Sequence, residues 1–294
     1  MTDIATLNDM QAARRARLRL LSTSVRYTLL FAVGFIMLYP LIWLVGASFK
    51  TNSEIFSGAG FIPETPTLDG YIRGWETSTP YTFGRFFWNS FLIILPKVIG
   101  TAISCTMAAY AFARLDFPLK KILFGSVIAI LLLPNVVTRI PQYILFRDLG
   151  WLDSFLPLWV PSALAGDAFF VFMLVQFLRS LPSDMEEAAR VDGANSLQTL
   201  VYIVVPMLAP ALISVCLFQF MWTMNDFLGP LIYLSSVDKY PVSLALKLSI
   251  DTTEAFEWNR ILAMSVLTIA PALVVFFAAQ RYFIEGISSG GVKG

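Results

Sequence analysis

Apolar residues in this chain gather into long runs, and most charged residues fall in the gaps between them. A helix crossing a hydrocarbon core needs about 20 consecutive, mostly apolar residues. Six runs meet that measure: Tyr27–Ser48, Trp88–Phe112, Ile122–Ile140, Leu158–Phe177, Val204–Leu228 and Ile261–Phe283. The fourth and fifth carry internal polar groups. The pattern predicts an all-α integral membrane protein with six transmembrane helices, without an internal repeat or low-complexity segment. It divides into a basic N-terminal segment (1–26), a membrane domain (27–283) and a short C-terminal tail (284–294).

The gaps have characters of their own. Lys50–Phe87 is rich in Pro and Gly and reads as mostly irregular. Pro141–Pro157 reads as a short connection, and Ser235–Asn259 mixes charged and apolar residues. The N-terminus, with Arg14, Arg15, Arg17 and Arg19 before an apolar run, imitates a signal peptide. However, that run is too long for one and lacks a cleavage site, so it reads as a retained helix. Gln11–Leu20 is either an amphipathic surface helix or a topology determinant.

Composition agrees with the pattern. Hydrophobic residues make up 57% and charged residues 14%, against about 25% charged in a soluble domain. A formal net charge of +1 gives no reason to expect a nucleic-acid partner. Histidine is absent, which removes the commonest general base and metal ligand. Cys105 and Cys216 lie in apolar runs without metal-type spacing and read as packing residues. With the N-terminus in the cytoplasm, twelve Lys and Arg flank the inner side and eight the outer. That bias, and the dense N-terminal cluster within it, predicts that both termini are cytoplasmic.

The gap between the fourth and fifth runs then faces inward. It reads Leu181-Pro-Ser-Asp-Met-Glu-Glu-Ala-Ala-Arg-Val-Asp-Gly-Ala-Asn-Ser-Leu-Gln-Thr-Leu200. Ser183 with Glu186 forms a capping-box pattern, and Asp184, Glu186 and Glu187 suit the positive end of a helix dipole. A short helix over Asp184–Asp192 should stop at Gly193. Asn195 with Gln198 should cap a second helix leading to Pro206. The local chemistry alone also allows an ordinary structured loop.

The string Glu187-Ala188-Ala189, then Asp192-Gly193-Ala194, then Pro206 resembles the EAA loop of the membrane subunits of bacterial ABC importers. Ile203 fits the hydrophobic position of that pattern, and Val205 replaces the usual Leu before Pro206. The chain is further similar to the second membrane subunit of the maltose-type carbohydrate importers. Phe83-Gly-Arg-Phe-Phe-Trp-Asn-Ser-Phe91, Ala108-Ala-Tyr-Ala-Phe-Ala-Arg114 and the tail Gln280–Gly286 with Gly290–Gly294 carry that likeness. Pro230–Ser235, Ser243–Lys247 and Phe256–Asn259 also look similar to permeases for oligosaccharides, uronide oligomers included.

The resemblance implies a permease that passes a carbohydrate inward by alternating access. The implied partners are a homologous second permease subunit in a heterodimer, two ATP-binding cassette subunits, a solute-binding protein and the lipid bilayer. The location implied is the bacterial inner membrane. Glu187 would be the acidic contact to the ATPase, Ala188 and Ala189 would let the helix seat closely, and Gly193 would set the turn, within a coupling segment of about 181–206. The tail Ile284–Gly294 would reach toward the ATPase pair, and the loop Ser235–Asn259 would touch the binding protein. ATP and Mg²⁺ would sit on partner chains, with no cofactor on this one. Consistently, the sequence has no GxxxxGK[ST], since Gly46-Ala-Ser-Phe-Lys50-Thr51 lacks the second glycine.

Charged residues inside spans are costly and mark candidate functional sites. Lys97, Arg139, Asp167 and Asp226 are such residues. Gln219, Trp222, Asn225 and Asp226 follow helical spacing, so a shared face that binds sugar is one reading; solvated or ion-paired Asp226 with interfacial aromatics is the other. Two rival classes are an intramembrane enzyme, for which no nucleophile–base pair or metal cluster is visible, and an ion-gradient-driven secondary transporter, for which neither discontinuous helices nor paired inverted repeats are evident.

Overall fold

In lipid every backbone N–H and C=O needs a partner within its own segment, so long apolar runs must fold as helices. The computed structural model describes residues 2–57, 60–77, 79–251 and 257–291, with side chains for 21–57, 60–77, 79–134, 136–248 and 257–280. Among these, the helices in chain order are α1 (Thr2–Ala47), α2 (Asn52–Ser57), α3 (Asp69–Glu76), α4 (Phe83–Arg114), α5 (Lys120–Leu132), α6 (Asn135–Asp148) and α7 (Leu156–Ala163). Next come α8 (Ala168–Ser180), α9 (Asp184–Val191), α10 (Ser196–Thr199), α11 (Val205–Met207), α12 (Ala209–Met224), α13 (Leu228–Tyr233), α14 (Val242–Asp251) and α15 (Trp258–Gly291). Four stretches are long and apolar enough to cross a membrane, one of them, Leu156–Ser180, running through both α7 and α8, and two bent pairs raise the number to six. The chain divides into two compact units: Met1–Tyr71 with Glu257–Val266, and Ile72–Phe256 with Leu267–Gly294.

In the first unit, Leu21–Ala47 forms the first candidate span. The following segment, expected to be mostly irregular, contains α2 and the start of α3. Local caps explain both: Thr51 Oγ1 accepts the amide of Glu54 at 3.4 Å, and Thr67 Oγ1 accepts that of Asp69 at 3.1 Å. Ser48 and Tyr71 share a hydrogen bond between hydroxyls at 2.8 Å. The side chains of Gln11–Leu20, and those of the tail beyond Gln280, lie outside the described residues, as do 292–294 entirely.

The second unit is organised around α4, which packs on α7, α8, α12 and α14. Gly100 permits the α4–α7 approach, because a Cβ there would lie 2.4 Å from that of Ala163. Cys105, Phe170, Leu174, Leu178, Val204 and Leu208 are buried together where α4, α8 and the segment leading into α12 meet. Cys105 is thus a packing residue, and Cys216 is free and half-buried.

Three of the expected straight spans are broken. The third bends by 108° between α5 and α6 and ends at Asp148, beyond the expected Ile140. Pro134 stands at the bend, and a proline offers no N–H to continue the ladder. The fourth is interrupted between α7 and α8, where Ala165 is left-handed (φ 58°) and its amide donates to Ser104 Oγ on α4 at 3.0 Å. The fifth bends by 79° at Leu208, between Pro206 and Pro210, after a π-helical turn at Leu200–Val204. It ends at Met224, short of the expected Leu228. The expected connection Pro141–Pro157 shrinks to the residues between α6 and α7, and Ser235–Asn259 contains a 3₁₀ turn at Val237–Lys239 and α14.

Candidate functional site

The loop between the fourth and fifth spans forms two short helices at a turn. Helix α9 ends at Val191, with Asp192 as its cap, one residue short of expectation. Gly193 adopts φ +89°, a left-handed conformation that glycine enters without the steric cost a Cβ imposes. Asn195 and Gln198 form the expected capping box, each amide to the other's side chain at 2.9 Å.

The expected Ser183–Glu186 box does not form. Ser183 Oγ instead donates to Glu187 Oε1 at 2.8 Å. Glu186 turns inward, where Arg114 Nε donates to its Oε1 at 2.7 Å and Arg114 Nη2 donates to the Leu181 carbonyl at 2.9 Å. An ion pair out of water outweighs a local cap that solvent could replace. Glu186 Oε2 is buried without a hydrogen-bond partner among the described residues. Glu187 and Ala188 are exposed, Ala189 is half-buried, and Met185 and Val191 leave apolar surface uncovered, Val191 at 88% exposure. Pro206 lies in α11, just before the bend of the fifth span.

A second site lies within the same unit. Lys97 (α4), Arg139 and Gln142 (α6), Asp167 before α8, Asp226 after α12 and Tyr233 (α13) line one cavity of about 290 Å³. The four intramembrane charges singled out in the sequence therefore converge. Asp167 Oδ2 accepts from Gln219 Nε2 at 3.1 Å and from Thr101 Oγ1 at 3.5 Å. Asp226 Oδ1 accepts the amide of Gly229 at 3.0 Å.

The expected helical stripe of Gln219, Trp222, Asn225 and Asp226 is not realised, because α12 ends before Asn225. Gln219 is buried against Asp167, and Asp226 lines the cavity. Trp222 is half exposed and packs on Phe169, Phe170 and Phe218, away from the cavity lining. Asn225 is exposed and donates to the carbonyl of Met221 at 2.8 Å.

At the other end of α4 from Arg114, the loop after α13 is held in two ways. Arg85 and Asn89 donate to the carbonyl of Asp238. Asp153 accepts the amides of Ser235 and Ser236 and ion-pairs with Lys239 at 2.8 Å. Burial would raise the Asp153 carboxyl. Lys239 and the Ser236 and Ser235 donors outweigh that and hold it well below the usual carboxylate range. Sequence reading did not pair Arg114 with Glu186 and assigned no role to Asp153. Their signal was a charge at the edge of an apolar run, which is too common to be informative alone.

Residues 100–289 match the family described as "Binding-protein-dependent transport system inner membrane component". The chain is 33% identical to the probable ABC transporter permease protein PH1036 of Pyrococcus horikoshii, over 90% of this chain and 95% of that one. It is 32% identical to the arabinooligosaccharides transport system permease protein AraQ of Halalkalibacterium halodurans, over 89% and 93%. A chain from the crystal structure of a bacterial ABC transporter involved in the import of the acidic polysaccharide alginate has the same fold, with a TM-score of 0.78, 24% identity and coverage of 88% and 95%.

Proposed function

This chain belongs to the inner-membrane components of binding-protein-dependent transport systems, the permease subunits of ABC importers, and from that premise we propose that it carries an oligosaccharide inward and couples to its ATPase through α9. The supporting observation is the construction of the loop. Glu187 and Ala188 are exposed, as is the apolar surface of Met185 and Val191, while Glu186 anchors the helix to α4 through Arg114. Such a helix has a free face for a partner and a rigid connection to a span. Movement of the partner on ATP binding would shift α9, and α4 with it, between two access states.

The oligosaccharide reading draws on relatives such as the arabinooligosaccharide permease. The complete machine, on this reading, is this chain, a homologous permease, two ATPase subunits holding ATP and Mg²⁺, and an external binding protein. Both termini lie in the cytoplasm, the segment 181–206 faces the ATPase, and the loop Ser235–Asn259 faces the binding protein. The tail Ile284–Gly294 approaches the ATPase pair. Purification of the tagged chain from its native membrane tests the assembly. A second permease and an ATPase should copurify in stoichiometric amounts; a chain that purifies alone and transports alone would refute it.

A further inference from the structure

We infer that the cavity of the second unit is a cargo subsite for a carboxylate, so that the carbohydrate carried is acidic. The inference rests on the oligosaccharide reading above and adds the charge of the cargo. Its basis is an asymmetry between the two signs of charge around the cavity. The carboxylates are engaged within the protein: Asp167 with Gln219 at 3.1 Å and Thr101 at 3.5 Å, Asp226 with the Gly229 amide at 3.0 Å. The cations are not. Among the described residues, neither Lys97 nor Arg139 donates a hydrogen bond or reaches a carboxylate oxygen at ion-pair distance, although Lys97 senses both aspartates through space.

An ammonium and a guanidinium at membrane depth are costly without partners, and such residues mark substrate paths. Both are donors only, so they call for an acceptor. The guanidinium's planar fork matches a carboxylate. Gln142 and Tyr233 add neutral groups that suit sugar hydroxyls. The volume, about 290 Å³, falls just below the roughly 300–1,000 Å³ of whole small-molecule sites, as suits a subsite for one group. The helix breaks create this space, since Arg139 follows the 108° bend and Asp167 closes the gap between α7 and α8.

The test uses the whole complex with its binding protein in proteoliposomes. Glucuronate, galacturonate and mannuronate trimers are compared with the same trimers after reduction of their carboxyl groups to alcohols. ATP-dependent uptake of at least one acidic trimer, exceeding that of its neutral counterpart, is expected. Arg139→Gln and Lys97→Gln should each lower that uptake at least tenfold, mainly through a higher KM, and Arg139→Lys should retain a substantial part. Wild-type uptake of acidic trimers by both glutamine variants would overturn the inference. Uptake of neutral trimers alone would overturn it and leave the carbohydrate reading intact. Uptake of neither series, with an arabinooligosaccharide taken up, would overturn the inference alone; uptake of none of these oligosaccharides would overturn both. Loss of the second permease from the R139Q complex, with retention in R139K, would assign the guanidinium to a subunit contact and overturn the subsite.

Discussion

Arg114, the last residue of α4, donates to the buried carboxylate of Glu186 in α9 at 2.7 Å, so a membrane-spanning helix and the short exposed helix of the loop are pinned to each other. The side chains are 13% and 3% exposed, so neither charge is well solvated. Removing one partner of such a pair costs about 3–5 kcal/mol, whereas replacing both by apolar residues is often neutral. Arg114→Ala should therefore lower the thermal stability of the purified complex by that order, and Arg114→Met with Glu186→Leu should recover most of it. Thermal unfolding of the three proteins checks this.

Gly193 is the next test. At φ +89° a side chain is strained whatever the space around it, and the cost of a left-handed L-residue is about 1–2 kcal/mol. Gly193→Ala should misplace α9 relative to α10 and weaken ATPase retention during purification. Gly193→Asn should be milder, because Asn tolerates that conformation.

Much of this loop was legible because its determinants are local. The Asn195–Gln198 box and the Gly193 turn follow from residues within a few positions of one another. The Ser183–Glu186 box was misread because Arg114, the stronger partner, lies 72 residues away in sequence. Hydropathy located six apolar stretches but not their direction, so the bends at Pro134 and Leu208 were missed, although Pro134, Pro206 and Pro210 were visible clues. Lys97, Arg139, Asp167 and Asp226 stood out singly. Their convergence depends on α4 packing between neighbours, which periodicity does not encode. Family membership decides between an ATP-driven importer and the ion-gradient alternative.

The clamp at Asp153 predicts a pH dependence. Its carboxyl is depressed in the folded state, so its contribution is complete above the unfolded value of about 3.9 and is lost as pH falls through the folded value. Protection factors for hydrogen exchange in residues 234–240, which divide out the intrinsic pH dependence of amide exchange, should therefore stay constant from about pH 8 to 5 and fall only below about pH 4. Asp153→Asn removes the ion pair with Lys239 and should give faster exchange already at neutral pH.

Gln219 and Trp222 separate two roles along α12. Gln219→Leu leaves the half-buried Asp167 carboxylate with Thr101 alone as a side-chain donor, and should lower both stability and uptake. Trp222→Ala, away from the cavity lining, should leave the KM for cargo unchanged. Uptake kinetics of both variants check the assignment.

The most direct test of the coupling role is ATP-dependent uptake by the reconstituted complex carrying Glu187→Lys. Glu187 is exposed, so the substitution should leave the chain folded and expressed. The account predicts that uptake is abolished in this variant, while the wild-type complex requires both ATP and the binding protein. Normal uptake by E187K, or wild-type uptake driven by an ion gradient without ATP, would contradict it.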